Sequence, residues 1–195
     1  MSELESWARD ALARNDRYLI EFIEALNLCP FAKGCREGGK LHREVLPMDA
    51  LDVPTVLARV EALEARPDGD VDIGLFLFPK LTIEWRPWER FVSEVRRACE
   101  QKRGGPLAYF MVAFHPDMPL DLANADRAVS FLRRSPDPTI QLVSSAATDR
   151  ARDAARDGRE LSRVIAEAGL RAIKESGPEK LAALLQEIHR ERRTS

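Results

Sequence analysis

Two apolar runs limit what this chain can fold into. Val71-Asp72-Ile73-Gly74-Leu75-Phe76-Leu77-Phe78 is closed by Pro79, and Leu107 to Phe114 is closed by His115-Pro116. Both fall far short of the roughly 20 apolar residues a membrane helix needs, and both read as buried strands. Between them, Ile83 to Gln101 reads as a helix with Pro87 in its first turns, followed by a Gly104-Gly105-Pro106 turn. A weaker strand pattern lies at Leu41 to Leu46. A helix then starts at Pro54, carries Val56, Leu57, Val60 and Leu63 on one side, and ends at Pro67-Asp68-Gly69. The order strand, helix, strand, helix, strand predicts an α/β or α+β fold. Its centre is a small mixed sheet of at least three strands, covered by helices on one or both faces.

The flanking segments read as helical. Trp7, Ala11, Leu12, Leu19, Phe22, Ile23 and Leu26 recur at spacings that predict one amphipathic helix over 3–26, with Ser2 and Glu5 as a capping box. Leu122 to Leu132 reads as a short helix broken by Arg133-Arg134-Ser135-Pro136-Asp137-Pro138. The next stretch is open: Thr139 to about Asp153 fits a helix, and Thr139 to Val143 fits a strand equally well. Glu160 to Ala168 and Glu179 to His189 read as closing helices, with fraying over Arg190 to Ser195. Without repeats or a linker, the simplest division is one domain over 1–195: an N-terminal helix at 3–26, a sheet-and-helix core at 27–153 and C-terminal helices at 154–192.

A chain of 195 residues can bury a substantial core, and 45% hydrophobic with 32% charged residues is an ordinary globular balance. A net charge of −2 gives no global field towards nucleic acid or an acidic membrane, so neither is expected as a partner. Cys29, Cys35 and Cys99 are too few, and odd in number, for a disulfide framework. With an acidic, polar start unlike a secretion signal, they suggest a soluble, bacterial-type cytoplasmic protein.

The segment with most chemical content is Asn27-Leu28-Cys29-Pro30-Phe31-Ala32-Lys33-Gly34. Proline stops helix propagation and pushes the residue before it towards extended geometry, so Cys29 is expected in a bent segment after the first helix. A thiol near a cation or a helix N-terminus becomes a nucleophile or metal ligand. A helix C-terminus has the opposite polarity, so activation of Cys29 would need Lys33, an imidazole or a second helix. The competing reading is a small buried hydrophobe beside Phe31.

Three motifs together carry a resemblance: Asn27 to Ala32 after the first helix, Phe114-His115-Pro116 at a strand end, and Arg134-Ser135-Pro136-Asp137-Pro138. In that order they resemble the bacterial proteins grouped as domain of unknown function 1415, with similarity over roughly Trp7 to Asp153. The resemblance implies a fold and a site and no established activity. The chain departs from the pattern at Arg133, where the family typically has Asn. It departs again at Gln141 and at Leu142 to Ser145, where the family tends to carry His and then Leu-Arg-Glu.

These motifs supply the remaining candidates. His115, at the carboxyl end of a strand, could be a general base, a ligand or a satisfied structural histidine. Arg134, with Arg133 and Ser135, offers a fork and turn amides for an anion, or a cationic helix end before a proline stop. Lys33 could hold an anion or lower the Cys29 pKa. Cys35, Cys99, His42, His189, Trp85 and Trp88 are read as structural or surface residues. The leading expectation is a small-molecule enzyme with Cys29, His115 and Arg134 as catalytic group, and Lys33, Arg133 and Ser135 binding an anionic substrate. Alternatives are a metal or haem protein with Cys29 thiolate as ligand, and a non-catalytic binding or structural protein. No cofactor and no oligomeric state follow from the residues.

Overall fold

The computed structural model describes residues 3–29, 31–154 and 161–190. Ser2 of the expected capping box, Pro30, Glu160 and the expected fraying segment beyond Arg190 lie outside the described residues. The chain runs α1 (Glu3–Arg17), a π-helical continuation (Tyr18–Glu24), α2 (Ala32–Glu37), β1 (Leu41–Val45), α3 (Val53–Glu64), β2 (Ile73–Leu77) and α4 (Trp85–Arg103). It continues through β3 (Tyr109–Phe114), α5 (Ala125–Leu132), β4 (Thr139–Ser144), α6 (Ser145–Ala154), α7 (Leu161–Ser176) and α8 (Pro178–Arg190).

The four strands form one mixed sheet in the order β1-β2-β4-β3. β1 and β2 pair in parallel, and β4 lies antiparallel between β2 and β3. The two apolar runs are therefore parallel to each other but not adjacent. The α4 crossover leaves one strand width between them, and the Thr139 segment fills it. This settles the open alternative at Thr139: the strand comes first, and helix α6 follows directly from Ser145.

Alternation along the strands divides the interior in two. Phe76, Met111, Ala113, Ile140 and Leu142 point to one face, where they meet Val56, Val60 and Leu63 of α3 and Trp88, Phe91, Val92 and Val95 of α4. Ile73, Leu75 and Leu77 point to the other, against Tyr18, Leu19, Phe22 and Ile23, then Phe131 and Leu132 of α5, Ile173 of α7, and Leu181 and Leu185 of α8. A continuous apolar run is what a strand covered on both faces requires. All five β2 residues are buried.

Local signals account for the element ends. Asp52 accepts from the Thr55 amide and caps α3, Asn124 accepts from the Arg127 amide and caps α5, and Gly104 closes α4 in the left-handed conformation at φ 74°. Gly169 sits where a Cβ would come within 2.9 Å of the Leu132 side chain, so its bare backbone lets α7 lie close on α5.

Candidate functional site

The first helix changes geometry where it reaches the sheet. From Tyr18 its turns widen, and Ala25 donates to Ile20 and Leu28 to Ile23, both five residues back. Tyr18, Leu19, Phe22 and Ile23 of this widened segment share one face and are buried against the sheet. Asn27 then takes φ 50°, a left-handed conformation that Asn tolerates better than most residues, and the chain turns so that Cys29 faces inward.

A cavity of about 460 Å³ lies between this segment, the β2-β4-β3 part of the sheet and α5. Its wall is mostly aliphatic and aromatic, with Leu19, Ile23, Ile73, Leu75, Val112 and Phe114 among the contributors. Phe110 of the edge strand β3 also lines it and is 53% exposed, so the cavity reaches the surface at that edge. The polar groups in the wall are few: Asn15, Tyr18, Cys29, Arg133, Ser135, Thr139, Gln141 and Thr148. Arg133 is the one charged residue among the described lining.

Most of those polar groups serve the fold. The Tyr18 hydroxyl donates to the Leu132 carbonyl at 2.6 Å, closing the end of α5. Burial, reinforced by the nearby Cys29, pushes the Tyr18 pKa far above its ordinary value. Ser135 Oγ and Thr139 Oγ1 both donate to the Asp137 carbonyl, at 2.6 and 2.8 Å. Thr148 donates to the Ser144 carbonyl, and Asn15 Oδ1 accepts from Arg43. Behind this wall the Asp137 carboxylate, 1% exposed, receives Nε and Nη2 of Arg14, itself 3% exposed, at 3.2–3.3 Å. That ion pair joins α1 to a turn 123 residues later.

The structure divides the residues singled out in the sequence. Cys29 lines the cavity. Burial raises its thiol pKa, while hydrogen bonds from the Phe31 and Ala32 amides pull the other way. Arg133 and Ser135 line it too. His115, Arg134 and Lys33 do not. His115, 2% exposed, sits beyond the end of β3: its Nδ1 accepts from the Asp117 amide at 3.1 Å, so Nε2 carries the proton and donates to the Ile83 carbonyl at 2.9 Å. Arg134 donates from Nε to the Pro116 carbonyl at 3.0 Å and lies over the Phe131 ring. Lys33 is exposed on α2, near Glu24. The His-Pro and Arg-Ser-Pro motifs do meet, through the His115 amide donating to the Arg133 carbonyl at 2.9 Å and through Arg134 on Pro116. Their meeting point is a backbone joint beside the cavity.

Asn15, Tyr18 and the Arg14–Asp137 pair escape a reading of the sequence. Arg14 and Asn15 fall on the same helical face as the buried Ala11 and Tyr18, but their polarity reads as solvated until the distant partner Asp137 is in place. The Tyr18-Leu19-Phe22-Ile23 spacing fits an ordinary amphipathic helix, so the widening leaves no signal of its own in the sequence.

Among the described residues no group of three or more His, Cys, Asp or Glu side chains is placed to hold a metal ion. Nor is any described helix long and apolar enough to cross a membrane. No curated protein and no solved structure matches the chain. A family model described as a protein of unknown function, DUF1415, matches residues 10–183. The match spans most of the chain, and the chain belongs to the DUF1415 family.

Proposed function

We propose that this protein binds a small, largely apolar molecule in the cavity between its sheet and its N-terminal and α5 helices. The observation that carries the reading is the cavity itself: about 460 Å³, walled by apolar side chains, with a few polar groups converging on it. Ligand sites are commonly cavities of roughly 300–1,000 Å³ with that make-up. Protein interiors are otherwise close-packed, so a cavity of this size sets this region apart from the rest of the core.

Binding is favoured over chemistry at Cys29 by what surrounds the sulfur. A nucleophilic thiol needs a lowered pKa or an adjacent base. Burial raises the pKa here, the neighbouring Tyr18 is itself pushed towards its neutral form, and the His115 nitrogens are engaged with backbone groups away from the cavity. Cys29 in this reading is part of the wall that a ligand touches.

Titration with the neutral fluorophore Nile red tests the reading. Saturable one-to-one binding is expected, with a blue-shifted emission and slower alkylation of Cys29 by iodoacetamide in the complex. Val129→Trp, placed in the wall by α5, fills the space and should abolish both effects while the circular dichroism spectrum stays that of a folded chain. Equal binding to the folded Val129→Trp protein would move the site elsewhere, and no saturable binding to the parent protein would end the reading.

A further inference from the structure

The charge in the wall narrows the ligand class. We infer that the cavity takes a linear amphiphile with one anionic head, a monocarboxylate on an apolar chain. Its chain would lie between the sheet and the helices, and its head on the Arg133 guanidinium. This rests on the cavity being a ligand site.

Three observations point this way. Arg133 is the single charged residue of the described lining, and its guanidinium makes no hydrogen bond or ion pair with any described residue. It is half-sheltered, and burial depresses its pKa. Glu89 and Tyr18 oppose that effect from beyond contact distance, so the cation stands partly desolvated without a partner. Arginine keeps its proton in such a place, and a planar fork short of water matches a carboxylate in two parallel bonds. Secondly, Ser135, Thr139 and Tyr18 already donate their hydroxyl protons to main-chain carbonyls, so beside the neutral amides of Asn15 and Gln141 the Arg133 fork is the charged donor facing a head group with more than one oxygen. Thirdly, Arg133 and Val112 line both this cavity and a groove on the α4 side of β3 that carries Arg86, Arg90 and Arg97. The head would thus sit at the free edge of β3, where Arg86, Arg90, Arg96 and Arg97 outnumber Glu89 and Glu94 and the exposed Phe110 marks the opening, with the tail inward. One cation in the wall suits one negative charge.

Competition against Nile red with decanoic acid and decanol, matched in chain length, separates the head from the tail. At pH 7.5 the acid is ionised, and it should displace the dye at a concentration at least about tenfold lower than the alcohol does. In Arg133→Gln that ratio should fall to near one, chiefly through weaker decanoate binding. Arg133→Lys, which keeps the charge and loses the fork, should fall between. Equal potency of acid and alcohol on the parent protein, or a preference that survives in Arg133→Gln, would overturn the inference while leaving a neutral apolar site in place. Failure of dye, acid and alcohol alike to bind would remove the cavity reading and this inference with it.

Discussion

Cys29 stands where two influences on one sulfur oppose each other. The Phe31 and Ala32 amides donate towards it and favour the thiolate, while enclosure by the cavity wall favours the thiol. Burial is the larger effect, so the ordinary state at neutral pH is the protonated, weakly nucleophilic one. The expected outcome is a pH profile of Cys29 carboxamidomethylation, followed by peptide mass spectrometry, with its midpoint above that of an unstructured cysteine peptide measured alongside. A midpoint below the peptide's would mean an activated thiol, and the case for binding over catalysis would fail. The same contrast explains what was legible at this scale. The Asn27 to Ala32 segment announced a bent turn and a cysteine in it, and the turn is there. Which way the sulfur's acidity moves depends on how far the packed fold encloses it, and that is not written in the local spacing.

The elements were easier to read than their joints. Strands β2 and β3 and helices α3 and α4 follow from apolar runs, prolines and glycines within each segment, because burial on two faces leaves a local pattern. β4 was ambiguous for a physical reason: Thr139 to Val143 is half-polar, and only insertion between β2 and β3 supplies its partners. The Arg14–Asp137 pair is the extreme case, two charges that look like surface residues in their own segments and are nearly fully buried together. Removing one partner of such a pair leaves the other as an uncompensated charge, which typically costs about 3–5 kcal/mol. Arg14→Met should therefore lower the unfolding free energy by about that amount in urea titrations. Its effect combined with Asp137→Asn should be well short of the sum of the two single effects. A loss under about 1 kcal/mol, or simple additivity, would show that the pair does not hold α1 to the turn before β4.

At the scale of the whole molecule, one sheet separates two cores of different quality. The α3 and α4 side is filled by interlocking aromatics, with Trp88 5.0 Å from Phe78 and 5.6 Å from Phe91, ring centre to ring centre. The side bearing the N-terminal helix holds the cavity. Each layer also buries one cysteine outside that cavity, Cys99 of α4 and Cys35 of α2, and in each the thiol pKa is pushed up to about 11. Folding thus opposes ionisation of a thiol on both faces of the sheet. Between about pH 9 and 11 the unfolded chain has released protons that the folded chain retains, so stability must fall as pH rises through that window. The contribution is fully present below about pH 9 and gone once pH exceeds the folded value. Melting temperatures taken at pH 7, 9 and 10.5 should decline over the upper interval. The double variant Cys35→Ala, Cys99→Ala should start lower at pH 7, because it leaves small voids, and decline less steeply. A parallel decline in parent and variant would assign the alkaline loss to other groups.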